Sequence, residues 1–169
     1  MLKLIGAGLI ITACGGFGMG MAVQYRREIS SLKQFMDAVQ WMRRELEYHL
    51  TPVPELCRGA AEQSSGQLRR FWIQTAVELE SQIAPDVSTC MGAAIHKVGS
   101  LPKYTAAAVE QLRRNFGSFD LEVQQDELAC IVEHCNNVLT ELEENKTQRL
   151  RNYQTLWLCA GAALAILLV

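Results

Sequence analysis

From Leu4 to Val23 the chain reads LIGAGLIITACGGFGMGMAV, with no charged side chain anywhere in the run. As a helix, a stretch of about 20 residues is about 30 Å long, the thickness of a bilayer's hydrocarbon core. Few other destinations accept such a segment, so it is expected to be a membrane-spanning helix over residues 4–23. A second apolar run, LWLCAGAALAILLV, occupies Leu156 to Val169. At about 21 Å it is short for a span. Beginning at Tyr153 lengthens it and places Tyr153 and Trp157 as interfacial anchors. The expectation is therefore two spans, 4–23 and 153–169, with a helical domain over 24–152 between them. Small residues recur on one face of each: Gly8, Thr12, Gly16 and Gly20 in the first, Gly161 and Ala165 in the second. Such faces allow close helix–helix approach in lipid.

The rival reading of the amino terminus is a cleaved lipoprotein signal. Ile11-Thr12-Ala13-Cys14 fits the pattern that precedes a lipidated cysteine, which would make the chain a lipoprotein anchored through Cys14 with an extracellular domain. Such a protein carries a polar tether after the cysteine. Here the apolar run continues through Phe17, Met19, Met21 and Val23, and an amphipathic pattern follows directly. A retained helix is expected.

Basic residues set the sidedness. Arg26, Arg27 and Lys33 follow the first run, and Lys146, Arg149 and Arg151 precede the second, whereas only Lys3 lies on the far side. Lys and Arg accumulate on the cytoplasmic side, so the central domain is expected there, in an integral cell-membrane protein. In that reducing compartment the 6 cysteines do not form a disulfide framework. A net charge of −2 gives no electrostatic reason to expect nucleic acid.

The central domain reads as helices throughout. Ile29, Leu32, Phe35, Met36, Val39, Met42, Leu46 and Leu50 recur at gaps of three and four, so the first helix is expected to continue out of the apolar run. Thr51-Pro52-Val53-Pro54 ends it. Further helices are expected over 54–63, 67–82, 86–97 and 104–115. In the third, Leu68, Phe71, Trp72, Thr75, Ala76 and Leu79 form the buried side. Gly117 supplies a stop, Asp120 an N-cap, and a last helix follows with Leu121, Leu128, Ile131, Val132, Cys135, Val138, Leu139, Leu142 and Leu150 as its stripe. The fold class expected is all-α: an antiparallel helical bundle flanked by N-terminal and C-terminal transmembrane helices.

No catalytic pattern emerges. Cys130 and His134 share a helix face, but no second ligand pair accompanies them, and Cys130 and Cys135 are expected as small core residues. There is no phosphate-binding loop, dinucleotide fingerprint or HExxH. No catalytic residue, metal or cofactor is expected, and the chain is read as a non-enzyme.

The chain resembles the stage III sporulation protein AB family over essentially its whole length. The resemblance rests on Met1-Leu2-Lys3-Leu4 opening a Gly-rich run and on Glu45-Leu46-Glu47-Tyr48 followed by Thr51-Pro52-Val53-Pro54. Phe116-Gly117-Ser118-Phe119-Asp120 with Gln124, and a terminal apolar run after Tyr153, complete it. It implies a component of the channel-like apparatus between mother cell and forespore, located in the mother-cell membrane around the forespore. That family looks like the inner-membrane platform proteins of type II secretion. The implied partners are the other proteins of that apparatus, especially its secretion-type ATPase, and the lipid bilayer. Candidate partner-binding residues are Arg43, Arg44 and Glu47 at the end of the first helix, with Asp120 and Gln124.

Overall fold

The computed structural model describes the backbone of residues 2–49, 51–81, 86–116, 123 and 125–144, and side chains from Val23 onward within those ranges. Among the described residues there are six helices and no strand. They are α1 (Leu2–His49), α2 (Val53–Glu62), α3 (Gly66–Ser81), α4 (Val87–Val98), α5 (Lys103–Asn115) and α6 (125–144). The expected helices therefore exist, with ends displaced by about a residue, as helix termini usually are.

Local chemistry sets each boundary. Pro52 has φ −58° and ψ 144°, and its carbonyl accepts from the N–H groups of Glu55 and Leu56 at 3.0 Å. Pro54 lies in the first turn of α2, where its missing N–H costs nothing. Between α2 and α3, the Ser64 hydroxyl donates to the Ala60 carbonyl. Ser65 donates both its N–H and its hydroxyl to the Gln34 side chain of α1 at 2.8 Å. Asp86 caps α4, accepting from the Thr89 N–H at 3.1 Å and the Thr89 hydroxyl at 2.6 Å. Those bonds hold its carboxyl below the ordinary range. Gly99 ends α4 at φ 86° and ψ −160°, a conformation essentially confined to glycine. Pro102 precedes α5 without a capping side chain, and Glu28 of α1 supplies the missing acceptor.

Two compact units divide the chain. Residues 28–139 form one. Its core takes Leu32, Phe35, Ala38, Val39 and Met42 from α1, Leu56 and Ala60 from α2, and Leu68, Phe71 and Trp72 from α3. Met91 and Ala94 from α4, Val109 and Leu112 from α5, and Leu128 and Ile131 from α6 complete it. Trp72 stacks on Phe35 at 6.1 Å between centroids and meets Phe71 at 5.0 Å. Trp41 lies over Gly59 while Gln34 meets Ser65, so α2 runs antiparallel to α1. Glu28 meets Lys103 and Ser31 meets Thr105, so α5 starts in the same direction as α1. An up-and-down order puts odd-numbered helices in that sense.

The other unit comprises residues 1–27 and 140–169. Its described part is the beginning of α1 and the end of α6, joined by a hydrogen bond from the Tyr25 hydroxyl to the Leu142 carbonyl. Among the described residues no helix is long and apolar enough to cross a membrane. The two expected spans fall largely elsewhere: the side chains of residues 4–22, and all of 153–169, lie outside the described residues. So do Leu50, Gly117, Asp120, Leu121, Gln124 and Leu150.

Two expectations are corrected. Cys130 is exposed, not a core residue. The buried stripe of α6 is Leu128, Ile131, Cys135, Leu139 and Leu142. At about 100° per residue, Cys130 points roughly opposite the centre of that stripe. Leu79, at the edge of the α3 stripe, is half-buried, as are Val132 and Val138 in α6.

Candidate docking surface

The last turns of α1 carry an inward and an outward face. Val39, Met42 and Leu46 are buried, which turns Arg43, Arg44, Glu47 and Tyr48 to solvent. Arg43 and Glu47 are four apart, as are Arg44 and Tyr48, so the four side chains form one patch. Tyr48 is 73% exposed, well above the other exposed large apolar residues. Neither Arg43 nor Arg44 forms an ion pair among the described residues, which leaves both guanidinium groups available to a partner.

The end of the helix beneath this patch is fixed from several sides. Glu45 accepts from the Thr51 hydroxyl at 3.1 Å and pairs with His49 at 3.4 Å. One turn back, the Trp41 ring covers Gly59 so closely that α2 has no room for a side chain there. Glu45 turns to His49 and Thr51 and not to the neighbouring Arg43 or Arg44.

Arginine and tyrosine are the residue types that carry binding energy at protein interfaces. Two guanidinium groups, a carboxylate and an exposed phenol on a fixed helix end are groups chemically suited to recognising a partner. Sequence reasoning named Arg43, Arg44 and Glu47 but missed Tyr48. The available signal was an aromatic residue standing outside the apolar stripe, four residues after Arg44. Asp120 and Gln124 lie outside the described residues, so the structure does not bring them to this patch.

The groups best suited to chemistry are separated from one another or sealed. Cys57 is buried in α2 and its thiol is pushed up to about 12 by burial, with Cys90 adding to the effect. Burial likewise raises Cys90 and takes Cys135 to about 11. A thiol reacts as its thiolate, so these three are inert near neutral pH. Cys130 and His134 share the exposed side of α6. Among the described residues, no three His, Cys, Asp or Glu side chains gather closely enough to hold a metal ion.

The sequence pattern of the stage III sporulation protein AB family matches residues 3–169. This chain belongs to that family. Stage III sporulation protein AB of Bacillus subtilis (strain 168) is 24% identical over 171 residues, covering 100% of both chains. A solved structure of stage III sporulation protein AB, 18% identical, superposes with a TM-score of 0.63 and covers 72% of this chain and 98% of its own. At that identity the likeness speaks for the helical fold. Membership makes this a sporulation protein with a sporulation-associated location, in a family of sporulation proteins and not of known enzymes.

Proposed function

We propose that the chain is a non-enzymatic, membrane-anchored platform of the sporulation apparatus, and that it docks a secretion-type ATPase from the cytoplasmic side. The observation that carries this reading is the patch of Arg43, Arg44, Glu47 and Tyr48 on the last turns of a helix whose opposite face is buried. Supporting it, α1 is helical from Leu2 to His49, 48 residues without a break, so the uncharged run and the patch belong to one helix. That helix continues past Cys14, where a lipoprotein would have a polar tether. The platform role extends the family assignment, and the ATPase partner extends it further, by fold-level analogy.

Full-length protein in detergent or nanodiscs, titrated with the apparatus's ATPase at two ionic strengths, tests the docking. Arg43→Glu with Arg44→Glu is expected to weaken binding by about tenfold or more, with parent binding falling as salt rises. Stability is expected to stay within about 0.5 kcal/mol, since both residues are on the surface. Unchanged affinity in the folded double variant places the ATPase elsewhere on the protein. Sidedness is read from Cys130, the exposed thiol: an impermeant reagent is expected to label it only after lysis. Intact mass is expected to retain the residues before Cys14.

A further inference from the structure

We propose that the outer face of α3, carrying Arg69, Arg70, Ile73 and Val77, is a second docking surface whose occupant is an acidic amphipathic helix of another protein. It shares no residue with the α1 patch and does not depend on the ATPase reading.

The inner side of α3 is fully committed: Leu68, Phe71, Trp72, Thr75 and Ala76 are buried. On the outer side Arg69, Ile73 and Val77 follow at steps of four, forming one row along the helix, with Arg70 beside it. Ile73 is 44% exposed and Val77 48%. β-Branched side chains are poorer helix formers than straight-chain ones, because the helix restricts χ1. At positions about half exposed, packing within the fold offsets that loss only in part.

The charges are equally one-sided. The acidic groups of α3 are satisfied internally: Glu78 pairs with Lys97 at 2.5 Å and accepts from Gln74, and Glu80 pairs with Arg58 at 2.7 Å. The guanidinium groups of Arg69 and Arg70 have no ion pair or hydrogen bond among the described residues. They also stand at the N-terminal end of α3, whose first turn holds no acidic residue. There the helix dipole favours carboxylates and disfavours guanidinium groups. The arginines thus work against their own helix, while the apolar pair beside them is only partly covered. The complementary surface is a helix presenting an apolar row to Ile73 and Val77, with carboxylates at the end that faces Arg69 and Arg70. Recognition of that kind is the helix-on-face mode, with anchors spaced by three and four.

The test is site-specific photo-crosslinking with the full-length protein in sporulating cells. Benzoylphenylalanine replaces Ile73, Val77 or, as a control, the exposed Asn137 of α6, and the adducts are sequenced by mass spectrometry. Positions 73 and 77, but not 137, are expected to join one segment of another protein, helical in period and acidic beside its apolar row. Adding Arg69→Glu and Arg70→Glu is expected to lower that yield by about tenfold. Should that pair disturb folding, Arg69→Gln with Arg70→Gln is expected to lower it by a smaller factor. Adducts to lipid, to a second copy of this chain or to a basic segment overturn the proposal. So does an absence of adducts, or a yield indifferent to the arginines in a folded variant.

Discussion

Glu28 of α1 closes the first turn of the helix that begins at Lys103. Its two carboxylate oxygens accept from the backbone N–H groups of Lys103 at 3.0 Å and Tyr104 at 3.2 Å. Pro102, at the capping position, has no side-chain oxygen to do this. A contact 75 residues away in sequence therefore performs a task normally done locally. Glu28→Ala is expected to lower stability by about 1 kcal/mol, as loss of a cap does, and Glu28→Gln by less, because one oxygen acceptor remains. Chemical denaturation of the full-length protein in detergent measures both. A variant with alanine as stable as the parent would mean that water serves those N–H groups equally well.

The approach of α2 to α1 depends on Gly59 having no side chain. A Cβ built there would lie 2.0 Å from the Trp41 ring, far inside contact distance. Gly59→Ala is expected to cost roughly 1–3 kcal/mol through overpacking. In a Trp41→Ala background the same substitution should reverse sign and stabilise by about 0.5–1 kcal/mol, since alanine is then simply the better helix former. A double-mutant cycle reads the coupling. Equal effects in both backgrounds would show that the ring swings aside freely.

Thiol reactivity should divide sharply. Cys130 is exposed, while Cys57, Cys90 and Cys135 are buried. Under native conditions a maleimide is expected to modify Cys130 within the described part of the chain. The other three should react only in denaturant, where burial no longer suppresses their thiolates. Peptide mapping after pulsed labelling gives the answer. Rapid modification of Cys57 at neutral pH would contradict the packing of α2.

Stability should fall on both sides of a plateau as pH changes. Hydrogen bonds from Arg113 and then Arg114 hold Glu110 at about 2, and Lys97 and Gln74 hold Glu78 below the ordinary 4.5. A carboxylate with a depressed folded value contributes above its unfolded value and loses that contribution as pH falls through the folded one. Acid destabilisation is therefore expected between about pH 4.5 and 2, and because these groups are exposed, salt should reduce it. Cys57 and Cys135 have the opposite sense. Their folded values, about 12 and about 11, stand above the ordinary 9.0. Their contribution is complete below about pH 9 and diminishes as pH rises toward the folded values. Melting the parent and Cys57→Ala from pH 3 to 10.5 separates the arms: the variant should keep the acid fall and lose part of the alkaline one.

Periodicity made the helices legible. The α1 stripe from Ile29 to Leu46 is buried at every position named, and prolines 52 and 54 stand where the chain turns. Single positions were lost where a residue type outweighed its angle. At Cys130 the usual burial of cysteine points inward, whereas the residue's phase on α6 points outward. The Glu28 cap and the Trp41–Gly59 contact were not legible at all, because each joins residues that no local pattern relates. At the candidate site, the charged residues of the α1 end could be named from their place opposite the stripe. Tyr48 stands outside that stripe too, so its outward phase was legible, while the extent of its exposure was not.

Trp72 is enclosed between two phenyl rings, and its Nε1–H has no hydrogen-bond acceptor among the described residues. A buried donor left unpaired costs about 1–3 kcal/mol, so the indole sits in as dry a setting as this fold offers. Dry, unbonded indoles emit toward the blue, and exposure to water moves the emission red. Trp41, half-buried over Gly59, should emit at longer wavelength. With Trp41 and Trp157 replaced by phenylalanine, the colour of the Trp72 emission thus reports whether α1 and α3 remain in contact. That signal follows separation of Phe35 from Trp72 in the intact protein without any added label.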